Sequence, residues 1–238
     1  LQAIILAGGK GTRLRDAVTA VPKPMVPVAG KPFLQYLLDY LHHYRVLEVV
    51  LAVGYKFEII RDFFGSKYKD MDIRCSIEKN PLGTGGAIKE ALNFVTEDHV
   101  FIFNGDTFFP VNLAKMFQEH KDKKATFTIA LKKMINSERY GSVLVQNGKI
   151  SKFNEKKSRE SGLINGGIYL IDKSVQSFFP ARQSFSFEKD VMEKKTADLE
   201  IRPYIEDVYF IDIGIPEDYE KAQKDFIGRY YKTYKKQK

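Results

Sequence analysis

Near the start of the chain an apolar run, Ile4-Ile5-Leu6-Ala7, is cut off by Gly8-Gly9-Lys10-Gly11-Thr12-Arg13-Leu14, and a little further on comes Pro22-Lys23-Pro24-Met25-Val26-Pro27-Val28. So short an apolar run, stopped by glycines, predicts a buried strand that turns sharply into a loop. Gly8, Gly9 and Gly11 leave backbone N–H groups uncovered, and such amides cradle phosphate oxygens. Arg13 adds a planar cationic fork suited to the same ligand. The loop is built for polyphosphate.

Spacing excludes two familiar glycine loops. No glycine, four residues and Gly-Lys-Ser/Thr follow the first strand, and a dinucleotide fingerprint begun at Gly9 needs glycine or alanine where Leu14 stands. The whole stretch, Leu6-Ala7-Gly8-Gly9-x-Gly11-Thr12-Arg13-Leu14 followed by Pro22-Lys23-Pro24-Met25-Val26-Pro27-Val28 and Gly30-Lys31-Pro32, resembles the signature of the sugar-1-phosphate nucleotidyltransferases. The resemblance extends over essentially residues 2–226. It implies a nucleoside triphosphate and a sugar 1-phosphate as substrates and Mg²⁺ as cofactor, with Leu6, Ala7, Gly8, Gly9, Gly11 and Thr12 along the nucleotide and Arg13 and Lys23 as catalytic cations.

At 238 residues the chain suits one substantial α/β domain, expected over 1–226, and its apolar fraction of 44% supports a packed core. Cys75 is the single cysteine, so neither an internal disulfide nor a cysteine-rich metal site is open to it. An apolar run of membrane-spanning length is absent, and a cytoplasmic protein is expected, with an initiator methionine ahead of Leu1. Of the net charge of +8, five positive charges lie at Arg229, Lys232, Lys235, Lys236 and Lys238, in an end segment, 227–238, without acids. That segment reads as a solvated helix end or tail, so neither nucleic acid nor membrane is expected as a partner. A homodimer through exposed aromatic surface would be ordinary.

Leu34, Leu37, Leu38 and Leu41 recur at i, i+3, i+4 and i+7, the stripe of a helix laid on a sheet, with Pro32 suited to its first turn. Tyr36, Tyr40 and Tyr44 form a second ridge, expected at the core edge or helix surface. Strands follow at 49–53, 73–77 and 100–103, alternating with helices at 58–64 and 87–92. This alternation predicts a doubly wound, mainly parallel, Rossmann-like sheet with helices on both faces and ligands at the strands' carboxyl ends, where Gly8, Gly83 and Asp106 would stand. After a helix at 115–120, shorter strands at 126–131, 142–145, 150–153 and 168–171, with a hairpin signal at Asn147-Gly148, are expected to extend the sheet and build a small lid over the sugar. A helix at 187–194, a last strand at 208–211 and a helix from Pro216 close the chain. Hexapeptide repeats are absent, so no appended acyltransferase is expected.

Asp106 ends a buried strand beside Gly105 and is placed to hold Mg²⁺. The resemblance adds Asp212 as the second metal ligand, in Asp212-Ile213-Gly214-Ile215-Pro216-Glu217-Asp218-Tyr219, where Ile215 departs from the family's threonine. It also implies that Glu155 holds sugar hydroxyls, Lys156 the sugar's phosphate, and Asn165 and the Gly141 amide the sugar, with Gly166 leaving room for the ring. Joining two anions needs cations and amides around the α-phosphorus rather than a general base, because a phosphate monoester is already ionised at neutral pH. Leu82-Gly83-Thr84-Gly85-Gly86 resembles the segment of guanylyltransferases that make GDP-mannose and GDP-heptose. With Glu78 as an acceptor for guanine's donors, GTP is the expected donor and D-glycero-D-manno-heptose 1-phosphate the expected acceptor. The alternatives are a UTP-dependent uridylyltransferase and a regulator that binds a nucleotide sugar without turnover.

Overall fold

The apolar runs at 2–6, 48–53 and 99–104 become parallel strands with helices between them, because each is buried on both faces and needs cover on both. The computed structural model describes residues 1–9, 21–135, 140, 142–154 and 161–227. Its first strands are β1 (Gln2–Leu6), β2 (Pro27–Val28), β3 (Lys31–Pro32), β4 (Glu48–Val53), β5 (Lys67–Tyr68), β6 (Met71–Ile77), β7 (His99–Asn104) and β8 (Thr107–Phe108). The later ones are β9 (Phe127–Ile135), β10 (Ser142–Gln146), β11 (Lys149–Asn154), β12 (Ser161–Asp172), β13 (Arg202–Ile205) and β14 (Ile211–Asp212). The helices are α1 (Phe33–His43), α2 (Phe57–Phe64), α3 (Gly83–Ala91), α4 (Leu113–Asp122), α5 (Thr196–Leu199) and α6 (Pro216–Phe226), with a π-helix over Phe187–Glu193.

Successive residues of each central strand point into different layers. Ala3, Ile5, Val49, Leu51, Phe101 and Phe103 face one core with Leu34, Leu38, Ile60, Met116 and Phe226, from α1, α2, α4 and α6. Ile4, Val50, Ala52, Val100 and Ile102 face the other, with Ala87, Ile88 and Ala91 of α3 and Val191 and Met192 of the π-helix.

Strands β6, β4, β1 and β7 lie side by side in that order, all parallel. The chain steps outward from β1 through β4 to β6, then returns to the opposite side of β1 for β7. That reversal opens a crevice at the carboxyl ends of β1 and β7, the place where such sheets bind ligands. Beyond β7 the sheet turns antiparallel through β12 to β9, and the β10–β11 hairpin docks on the first half of β12. The hairpin forms at the expected residues, with Asn147 at φ 51° and Gly148 at φ 70°.

Two local expectations are corrected. Of 208–211 only Ile211 is in a strand, and β14 pairs with the short β8 rather than with the main sheet. The strand added to the main sheet late in the chain is instead β13, at an edge and parallel to β9; its Pro203 disguises it in sequence but is tolerated there. Tyr36 and Tyr40 are buried, their hydroxyls donating to the Val28 and Val111 carbonyls at 2.9 and 2.5 Å. The basic segment 228–238 lies outside the described residues.

At the far end of β7 from the crevice, His120 is 1% exposed, its Nδ1 2.8 Å from Thr128 Oγ1 and its ring edge-on to His99. Burial, with the His99 ring beside it and only partial offset from Asp172, lowers its pKa to about 4. The native imidazole is therefore neutral where the unfolded one takes a proton, so this contribution to stability is whole above the unfolded value of 6.5 and declines as pH falls toward 4. Between pH 7 and 5 it amounts to about 2 kcal/mol. Denaturant unfolding at the two pH values should show a smaller loss in His120→Gln than in the parent; equal losses would show that His120 is not the group responsible.

Candidate active site

The crevice is a cleft of about 720 Å³, walled by Leu6, Gly8 and Gly9 after β1, Gly105 and Asp106 after β7, and Glu78, Gly83 and Thr84 before and within α3. Lys23 reaches it from a 3-10 turn over Lys23–Met25, which follows Pro22 in extended conformation. Asp106 is carried there by the turn from β7 to β8. Antiparallel pairing of β14 with β8 sets Asp212 opposite Thr107, and the Ile213 N–H donates to the Asp106 carbonyl at 3.0 Å. Helix α6 clamps the chain that follows Lys23: Tyr219 Oη and Gln223 Nε2 donate to the Pro27 carbonyl at 2.8 and 2.7 Å, and Gln223 Oε1 accepts the Ala29 N–H at 2.8 Å.

The result is a cation between two carboxylates. Lys23 Nζ lies 2.5 Å from Asp106 Oδ2 and 3.8 Å from Asp212 Oδ1, with only 13% of the lysine side chain exposed. Burial, and next the Asp106 charge, push the Asp212 carboxyl above the usual carboxylate range; Lys23 offsets part of this. Asp212 Oδ1 is buried with no hydrogen-bond partner among the described residues. On the opposite wall burial likewise raises Glu78, whose Oε2 accepts the Leu82 N–H at 3.0 Å. Its Oε1 stands over Gly8, 2.8 Å from where a Cβ would be.

The structure thus brings together Leu6, Gly8, Gly9, Lys23, Glu78, Gly83, Thr84 and Asp106 around one cleft, with Asp212 against Lys23. Ala7 stands behind the wall: it is buried, and its amide donates to the Ala52 carbonyl at 2.7 Å, extending the sheet. The Thr84 hydroxyl is engaged internally, donating to Glu188 Oε2 at 2.6 Å and accepting the Phe187 N–H at 2.9 Å, so Thr84 lends the cleft its position rather than its side-chain bond. Gly83 lines the cleft and packs closely behind it: a Cβ there would meet the Phe185 carbonyl oxygen at 2.6 Å. Asn165 is tied to Tyr169 and the Gly167 N–H. Gly11, Thr12, Arg13, Gly141, Glu155 and Lys156 lie outside the described residues. Tyr55, Lys79 and Asn104 also line the cleft; the first two carried no sequence signal, whereas Asn104 immediately precedes Gly105-Asp106.

A chain with this cleft finds relatives along almost its whole length. The D-glycero-alpha-D-manno-heptose 1-phosphate guanylyltransferase of Aneurinibacillus thermoaerophilus is 48% identical over 225 residues, covering 94% of this chain and 98% of the relative. The protein of the same name from Campylobacter jejuni is 46% identical over 220 residues, covering 92% and 97%. The crystal structure of HddC from Yersinia pseudotuberculosis complexed with GMP-PN superposes with a TM-score of 0.85 at 36% identity, over 94% of this chain and 99% of that one. Residues 2–228 match the family model described as nucleotidyl transferase, and with its cleft at the β1/β7 switch point the chain belongs to the nucleotidyl transferase family.

Proposed function

We propose that this protein is a sugar-1-phosphate guanylyltransferase that transfers GMP from GTP to D-glycero-D-manno-heptose 1-phosphate, giving the GDP-sugar and pyrophosphate. The observation that carries this reading is the near-complete, two-way coverage of two heptose 1-phosphate guanylyltransferases at 46–48% identity. The cleft supports it, having a carboxylate over Gly8 for a base with adjacent donors and Lys23 in its lining for the α-phosphoryl group. A nucleoside triphosphate donor is consistent with work in the cytoplasm.

In this reading the sugar's phosphate oxygen attacks the α-phosphorus in line and pyrophosphate leaves. The attacking phosphate is already ionised, so the chain's task is to hold two anions together. Gly8, Gly9 and Gly11 amides and Arg13 receive the β- and γ-phosphates. Lys23 balances charge growing on the α-phosphoryl oxygens, and Lys156 draws in the acceptor phosphate, while Glu155, Asn165 and the Gly141 amide orient the sugar. Two carboxylates and an acceptor oxygen buried without a hydrogen-bond partner among the described residues suit a hard divalent cation that takes its remaining ligands from water and phosphate. Asp106 and Asp212 would hold Mg²⁺, which when bound neutralises phosphate charge and polarises the phosphoryl group.

Pyrophosphate release measured with each of four nucleoside triphosphates and a matched heptose or mannose 1-phosphate tests the proposal. GTP should exceed UTP, CTP and ATP in kcat/KM at least about tenfold, roughly 1.4 kcal/mol of discrimination. A preference for UTP across a panel of sugars would overturn the guanine assignment.

A further inference from the structure

Strand β12, which carries Asn165, breaks its register with β9 between Asn165 and Tyr169. Gly166 and Gly167 occupy that break and are fitted by contact: a Cβ on Gly166 would lie 2.4 Å from the Phe109 ring, and one on Gly167, at φ +71°, 2.9 Å from Asn104 Nδ2. The space expected beside Gly166 for a sugar ring is therefore taken by Phe109. Without a regular ladder across the break, side-chain hydrogen bonds orient Asn165. Its Oδ1 accepts the Gly167 N–H at 2.9 Å, and its Nδ2 donates to the Tyr169 hydroxyl at 2.9 Å.

Tyr169 is wholly buried, its ring packed on Phe127 and Phe187. The Asn104 side chain, from the end of β7, bonds the same hydroxyl. Asn104 lines the cleft just ahead of Gly105-Asp106, and its Oδ1 is buried with no partner among the described residues, which leaves the tyrosine oxygen to orient that amide. The two other tyrosines of the core described above donate to backbone carbonyls; this one joins two asparagine side chains from different strands. Burial and the Glu188 charge hold its proton far above the usual tyrosine range, so it stays a neutral bonding group at any working pH.

We infer that Tyr169 is a positioning residue for the acceptor: its hydroxyl sets the Asn165 amide, and so the placement of the sugar 1-phosphate relative to the Asn104-Gly105-Asp106 turn. This rests on the reading of Asn165 as a sugar contact. It explains why a wholly buried strand position carries tyrosine where phenylalanine would pack as well.

Tyr169→Phe removes one oxygen and keeps the ring. With each substrate varied separately, the KM for the sugar 1-phosphate should rise about tenfold while the KM for GTP changes little; the unfolding midpoint should fall as well, because buried amides lose their partner. Combined with Asn165→Ala, Tyr169→Phe should add nothing to the acceptor defect of Asn165→Ala alone, since residues acting through one contact are not additive. Additive defects, equal rises in both KM values, or a lowered midpoint with an unchanged acceptor KM would overturn the inference. A raised acceptor KM in Asn165→Ala beside a normal one in Tyr169→Phe would reject Tyr169 alone; an unchanged value in Asn165→Ala would reject the sugar contact and the inference with it.

Discussion

Asp106→Asn and Asp212→Asn are each expected to lower turnover at least about a hundredfold, close to 2.7 kcal/mol of transition-state stabilisation, while the protein stays folded. Either change preserves side-chain size and removes one negative charge from the pair that faces Lys23. Steady-state rates over a range of Mg²⁺ concentration, read beside circular dichroism, check this. Near-normal Mg²⁺-dependent rates in both variants would remove these carboxylates from the mechanism. Asp212 is the more telling of the two. Its carboxyl is raised by burial and by Asp106, and its Oδ1 is buried with no hydrogen-bond partner among the described residues, so the neutral amide fits the protein without strain while losing the capacity to hold a cation.

Lys23→Ala should reduce turnover by a comparable factor, because a charge contact in a site shielded from water is worth several kcal/mol when it acts in the transition state. It should also change the resting protein. Removing the ammonium leaves Asp106 and Asp212 facing one another without the cation that lies 2.5 and 3.8 Å from them. Added Mg²⁺ should therefore raise the unfolding midpoint of Lys23→Ala more than that of the parent, since the metal would replace a missing counter-charge. Equal midpoint shifts in both proteins would mean that Lys23 does not neutralise the pair, whatever its effect on rate.

These predictions depend on groups whose positions were legible in the sequence to different degrees. Short apolar runs, helical stripes between them and glycines after an apolar run are local properties. They were enough to predict β1, β4, β6 and β7, the helices between them, and a ligand site at the ends of β1 and β7. Asp106 was legible for the same reason, because its place follows directly from the strand before it. The resemblance of Asp212-Ile213-Gly214 and Pro22-Lys23-Pro24 to family segments named the other two charges without showing how they reach Asp106.

Only the tertiary structure decided that meeting. It depends on a two-residue strand, β14, pairing with another, β8, and such strands are too short to have a period. It depends also on Tyr219 and Gln223 of α6 bonding to the Pro27 carbonyl, contacts whose partners are distant in sequence and have no spacing to read. The same limit governs the corrections. Whether an amide such as that of Ala7 is free, and whether the Thr84 hydroxyl faces a ligand or Glu188, are settled by whichever group packs opposite. The sequence alone determined the central parallel strands, the helices between them and the glycines at the end of β1, because those follow from local patterning. The arrangement of charge around that strand end came from long-range packing, because it requires segments far apart in the chain to meet within hydrogen-bonding distance.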